Sequence, residues 1–150
     1  MDGSLQKVTN YLDDLGWSYE VAAIDVLLLS QGSAMVMITI ETCQSIDGAI
    51  EIVSIKSPIL RKVEPSADLY KSMSEINSSL PFGALVIEDT AGKGGESGRK
   101  NTGVLFLKHS LLAQTLDKEE IEVGVGTIAV IADELDDELQ NEFGGQKAID

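Results

Sequence analysis

The sequence predicts an α+β fold, an antiparallel sheet packed by helices in the order α-β-β-β-α-β-β-α. Three observations carry this. Apolar residues at helical spacing occupy three separate stretches. Runs rich in β-branched residues follow one another with only short turns between them. Strands therefore come in a group of three and a group of two, broken by single helices, a pattern that fits α+β rather than a parallel α/β sheet.

The first helix is expected over residues 4–16, SLQKVTNYLDDLG, where Leu5, Val8, Leu12 and Leu15 share one face. Ser4 suits its N-cap and Gly16 its C-terminal stop. The first strand is placed at Val26–Leu29, and Ser30-Gln31-Gly32-Ser33 has turn chemistry. Residues 34–43, AMVMITIETC, form the second strand. Asp47-Gly48 marks a hairpin into the third, residues 49–57, which Pro58 is expected to limit. Residues 58–65 read as a connector between prolines.

Ser66 caps the second helix, whose stripe is Leu69, Met73, Ile76 and Leu80, and Pro81 ends it. FGALVIEDT (82–90) and VLFLKHS (104–110) are the last two strands, joined by the glycine-rich loop 91–103. Asp117-Lys118-Glu119-Glu120 is a variant capping box. From it, Ile121, Val125, Ile128, Ala132, Leu135 and Leu139 repeat at helical spacing up to Gly144-Gly145. Gly124 and Gly126 lower the propensity of this helix and suggest close contact with the sheet. The reading is one domain over 1–150 with its core in about 4–143, and residues 146–150 are expected to be disordered.

At 150 residues and 43% hydrophobic content the chain is long enough for a sizeable core. No window approaches the ~20 apolar residues of a membrane span, and MDGSLQKVTN lacks the shape of a signal peptide. One cysteine, Cys43, excludes an internal disulfide framework and fits a reducing, cytoplasmic setting. The net charge is −14. Such a surface repels nucleic acid and anionic membranes and favours basic or polar protein partners.

Chemistry is sparse. The segment Gly92–Lys100 lacks the P-loop pattern, and no helix follows it to receive a phosphate. Cys43 and His109 carry no orienting motif around them, so the cysteine reads as a small buried hydrophobe and the histidine as a strand-end residue. Residues 117–142 hold ten acids and one base. Asp133, Asp136 and Asp137 share a side of the helix, but their spacing is not that of a calcium loop, and a solvated acidic face explains them. No catalytic, cofactor-binding or metal-binding residue is assigned.

The strands are apolar on both parities. Val36, Ile38 and Ile40 oppose Met35 and Met37, and Ile50 and Ile52 oppose Val53 and Ile55. Either the helices divide between both faces of the sheet, or a protein partner covers one of them. Val36, Ile38, Ile40, Ile50 and Ile52 are the candidate contacts for such a partner.

Several stretches carry a resemblance: LDDLGW (12–17), MVMITIET with IEIVSIKSP, EINSSLPFGALVIED (75–89), GVLFLKHSLLAQTLDKEEI (103–121) and GTIAVIADELDDEL (126–139). Together they resemble the YbjN family and the bacterial class I chaperones of type III secretion that share its fold. The resemblance implies a non-enzymatic, chaperone-like or regulatory domain that binds a client protein through apolar sheet and helix surface, as a homodimer. The alternatives are a structural or adaptor homo-oligomer, or a small-ligand binder acting through the loop 91–103. That loop is longer and richer in glycine than the family's pattern.

Overall fold

The structure, a computed structural model, describes residues 3–89 and 102–148. Helix α1 spans Gly3–Leu15. Strands β1 (Glu20–Ala23), β2 (Val26–Gln31), β3 (Ala34–Ser45) and β4 (Gly48–Val63) follow. Then come α2 (Ala67–Ser79), β5 (Ala84–Asp89), β6 (Gly103–Leu112), α3 (Lys118–Phe143) and the short β7 (Gln146–Lys147). The strands form one antiparallel sheet in the order β1-β2-β3-β4-β6-β5, with β7 paired to β4. The α+β architecture is the one the sequence predicts, extended by two strands.

Both additions have physical reasons. Strand β1 is fully exposed, so it carries no burial pattern, and β2 recruits it through backbone pairing alone, from Glu20 opposite Leu28. Strand β7 corrects the expectation of a disordered tail for residues 146–148. Gly144 and Gly145 take positive φ and reverse the chain. Gln146 and Lys147 then pair with Arg61 and Leu60, and the Ala148 N–H donates to the Ile59 carbonyl.

Strand β4 also runs through Pro58 instead of ending there, so residues 58–63 are strand and not connector. The β3 ladder extends only to Lys56, so on that side Pro58 has no strand to which it must donate. The register with β6 slips between Pro58 and Leu60, a bulge that absorbs the ring.

The helix termini follow local chemistry. At the end of α1 the Trp17 N–H reaches the Leu12 carbonyl and the Gly16 N–H the Asp13 carbonyl, with Gly16 at φ 73°. That is a Schellman closure. Ser66 accepts from the Leu69 N–H, and Asp117 and Glu120 form the reciprocal capping box. Ser4, expected as a cap, lies inside α1, and its hydroxyl donates to Glu51.

The core lies on one face of the sheet. Leu27, Leu29, Val36, Ile38, Val53, Ile55, Leu105 and Leu107 are buried there against Leu5, Val8 and Leu12 of α1 and Ile121, Val125 and Ile128 of α3. Helix α3 packs across β2, β3, β4 and β6, α1 packs on α3, and the Ser72 hydroxyl of α2 donates to Glu142 of α3. The three helices therefore share one side of the sheet. They do not divide between its faces.

Gly124 explains part of the close approach. A Cβ there would stand 3.2 Å from Ile55 Cδ1. Gly126 has open space around it and needs no such explanation. No described helix is long and apolar enough to cross a membrane.

Candidate functional site: the uncovered sheet face and its edges

Because the helices lie together, the other face of the sheet has no helix over it among the described residues. The strand register defines that face. Leu28 lies opposite Met37, Met37 opposite Lys56, and Lys56 opposite Lys108. Beside this row, Pro58, Phe106 and Val86 align, and Ile52 stands opposite Leu112. Leu28, Met35, Met37, Ile52, Val86 and Phe106 are all half-buried, and Leu112 is 50% exposed.

Among the described residues two cations cross this surface, and both are paired. Lys56 donates to Glu88 at 2.9 Å and lies 4.8 Å from the centre of the Phe106 ring, and Lys108 reaches Glu41 at 3.2 Å. At the centre Ser54 is wholly buried, and its hydroxyl has no hydrogen-bond partner among the described residues. The result is a largely apolar surface whose two lysines are each matched by a glutamate, with Glu20 at its β1 edge, on a strongly acidic chain.

The five candidate contacts fall on different faces. Ile50 and Ile52 belong to the uncovered face, at registers opposite Cys43 and Glu41. Val36 and Ile38 do not: both are fully buried beneath the helices. Ile40, on the same parity as those two, is half-buried and packs against the core. Strand parity alone shows that two faces exist but not which one the helices choose. Met35, Met37 and Phe106, which line the uncovered face, are not among the five candidates for that reason.

The edges of the sheet differ. On β5, the Leu85 N–H donates to Asn77 Oδ1 at 2.6 Å, and Asn77 Nδ2 donates back to the Leu85 carbonyl at 3.2 Å. On the opposite side β1 pairs with β2 only as far as Leu28, so Leu29–Gln31 extend beyond it. Trp17, Tyr19, Leu28, Leu29, Ser30 and Met35 line a groove of about 540 Å³ at that overhang.

A second cavity, about 300 Å³, lies on the helix side among Phe82, His109, Leu111, Val123 and the acids Asp117, Glu119 and Glu120. His109 stacks at a tilt on Phe82, 4.7 Å between ring centres, and burial lowers its pKa below the usual histidine value. It is thus a half-buried residue within a strand, not a strand-end one.

Cys43 is exposed at the far end of β3, which corrects its reading as a buried hydrophobe. It pairs with Ile50, whereas His109 pairs with Ile55. Five residues of β4 separate these registers, ~17 Å of strand, too far for a nucleophile and its base. Of the α3 acids, Asp133 accepts from Ser33 and Asp137 from Lys147. The described residues contain no acid, histidine or cysteine cluster able to hold a metal. Residues 91–101 of the glycine-rich loop lie outside the described residues.

Compared with solved structures, the chain is similar to the crystal structure of YbjN from E. coli. The TM-score is 0.57 over 93% of each chain, at 19% sequence identity. The chain has the YbjN fold. Its last third adds a match in sequence: residues 99–150 fit the family model described as T3SS (YopN, CesT) and YbjN peptide-binding chaperone 1. That stretch includes β6, α3 and β7. No curated protein was found to match.

Proposed function

We propose that this YbjN-type domain is a non-enzymatic protein-binding module that holds an extended segment of a partner on the uncovered face of its sheet. The observation that carries this reading is a face lined by Leu28, Met35, Met37, Val86 and Phe106 with no helix over it among the described residues. Surfaces of this kind on a folded domain serve as interaction sites. The peptide-binding description of the matching family model supports the same reading. Ile50 and Ile52 remain contact residues in this proposal, joined by Met37 and Phe106. Val36 and Ile38 support the sheet from beneath.

The partner is an apolar segment flanked by basic residues, because the domain carries a charge of −14. A second copy of the chain is the other occupant favoured by an observation. Lys56 and Lys108 are already neutralised by Glu88 and Glu41, so two such faces meet with both lysines paired.

Met37→Asp and Phe106→Asp test the site against a library of extended peptides. Both variants are expected to keep their melting temperature within a few degrees and to lose at least about tenfold in affinity. Stable variants that bind the same peptides as the unaltered chain would remove the reading.

A further inference from the structure

A strand added to a sheet needs an edge whose N–H and C=O groups are free. This sheet has two edges, and one side chain makes them unequal. Asn77 projects from the last turn of α2 onto β5 and meets Leu85 with both ends of its amide, accepting from the N–H at 2.6 Å and donating to the C=O at 3.2 Å. A neighbouring strand makes the same two bonds with a residue in an antiparallel ladder. Bonded to Asn77 of α2, both groups of Leu85 face the outward side of β5. With Leu85 taken, only Ile87 and Asp89 of this six-residue strand share its outward direction. A strand pairing along β5 must therefore displace the Asn77 amide to complete its ladder.

On the other side Leu29–Gln31 of β2 run past the end of the β1 pairing. The chain entering β1 bears Trp17 and Tyr19 and leaves an apolar-walled groove of about 540 Å³ along them. Glu20 is among the residues that line this groove and brings a carboxylate to it. Among the described residues no lysine or arginine lines it.

We propose that Asn77 is a built-in substitute for a partner strand. It closes the β5 edge and leaves the β2 overhang beside Trp17 as the place where an extended peptide with apolar centre and basic ends adds to the sheet. The inference rests on the protein-binding reading above and specifies the edge and the residue that selects it.

The probe is an eight-residue peptide of alternating apolar residues with lysine at each end. Its twin is N-methylated at alternate backbone nitrogens and cannot complete a ladder. Trp17, the only tryptophan, reports binding by its emission. The expected result is one peptide per chain, a shift in Trp17 emission, and at least about tenfold weaker binding of the methylated twin. Wild-type Leu85 is expected to exchange its amide hydrogen slowly with or without peptide. In Asn77→Ala its exchange accelerates at least tenfold, and a second peptide binds or the chain self-associates through β5.

A spin-labelled peptide on the unaltered chain gives an independent reading if Asn77→Ala does not fold. Broadening at Ser30 and Gln31 supports the assignment, and broadening at Ile87 overturns it. Leu85 exchange and stoichiometry unchanged in a folded Asn77→Ala overturn the role of Asn77. Equal binding of both peptides with a silent Trp17 overturns the edge while the protein-binding reading stands. Failure of both peptides to bind, at any concentration the chain tolerates, overturns the edge and that reading together.

Discussion

Val125 is wholly enclosed between α3 and the sheet, so an aspartate there has no water and no cationic partner. Val125→Asp is expected to lower stability by at least ~3 kcal/mol, measured by denaturant unfolding. Ile38→Ser, beneath the helices, is expected to cost roughly 2–4 kcal/mol and to affect binding only through unfolding. The two α3 glycines separate in the same way. Gly126→Ala meets no atom within 4 Å and is expected to raise stability by about 0.5–1 kcal/mol through helix propensity. Gly124→Ala places its Cβ 3.2 Å from Ile55 and is expected to gain less. His109 adds a pH dependence. Burial depresses its folded pKa, so below the ordinary histidine value the unfolded chain takes up a proton that the folded chain resists. Stability due to this group is therefore full above about pH 6.5 and falls as the pH drops below it. His109→Phe is expected to flatten that part of the melting-temperature profile.

At the level of elements, what the sequence makes legible is what local chemistry determines. The helices announce themselves through stripes such as Leu5, Val8 and Leu12 and through caps whose donors and acceptors are neighbours in sequence. Asp117 and Glu120 bond each other's backbone as their spacing implies. Asp117→Ala is accordingly expected to destabilise α3 by about 1 kcal/mol, read from the melting transition. Strand β1 was illegible because Glu20–Ala23 bury nothing, and their order comes from a ladder with β2 that no periodicity records. Pro58 misled because its effect depends on where β3 ends, a tertiary fact. The candidate site was half legible for a related reason. Alternation separates Ile38 from Met37, but only the packing of α1 and α3 on one side of the sheet decides which of them is left uncovered.

For the whole molecule the distribution of charge matters more than its sum. Ten of the acids stand in residues 117–142, along the helix that covers the far side of the sheet. On the uncovered face the lysines Lys56 and Lys108 are each matched by a glutamate. A basic peptide and a second copy of the chain therefore respond to salt in opposite directions. Association of the peptide is driven in part by attraction to the acidic surface, which ions screen over ~10 Å at 0.1 M, so its association rate is expected to fall as salt rises. Two copies meeting face to face hold their acidic helices on the outer sides, where like charges still repel through the assembly, so added salt is expected to strengthen the dimer. Sedimentation at micromolar concentration is expected to show twice the 16.0 kDa chain mass, with a larger dimer fraction at 0.5 M than at 0.05 M salt. Phe106→Asp places a new carboxylate on each uncovered face and is expected to return the species to a single chain without a matching loss of melting temperature. A concentration-independent 16.0 kDa species in the unaltered chain would show that the face is left open to heterologous segments, and peptide binding then requires no prior dissociation.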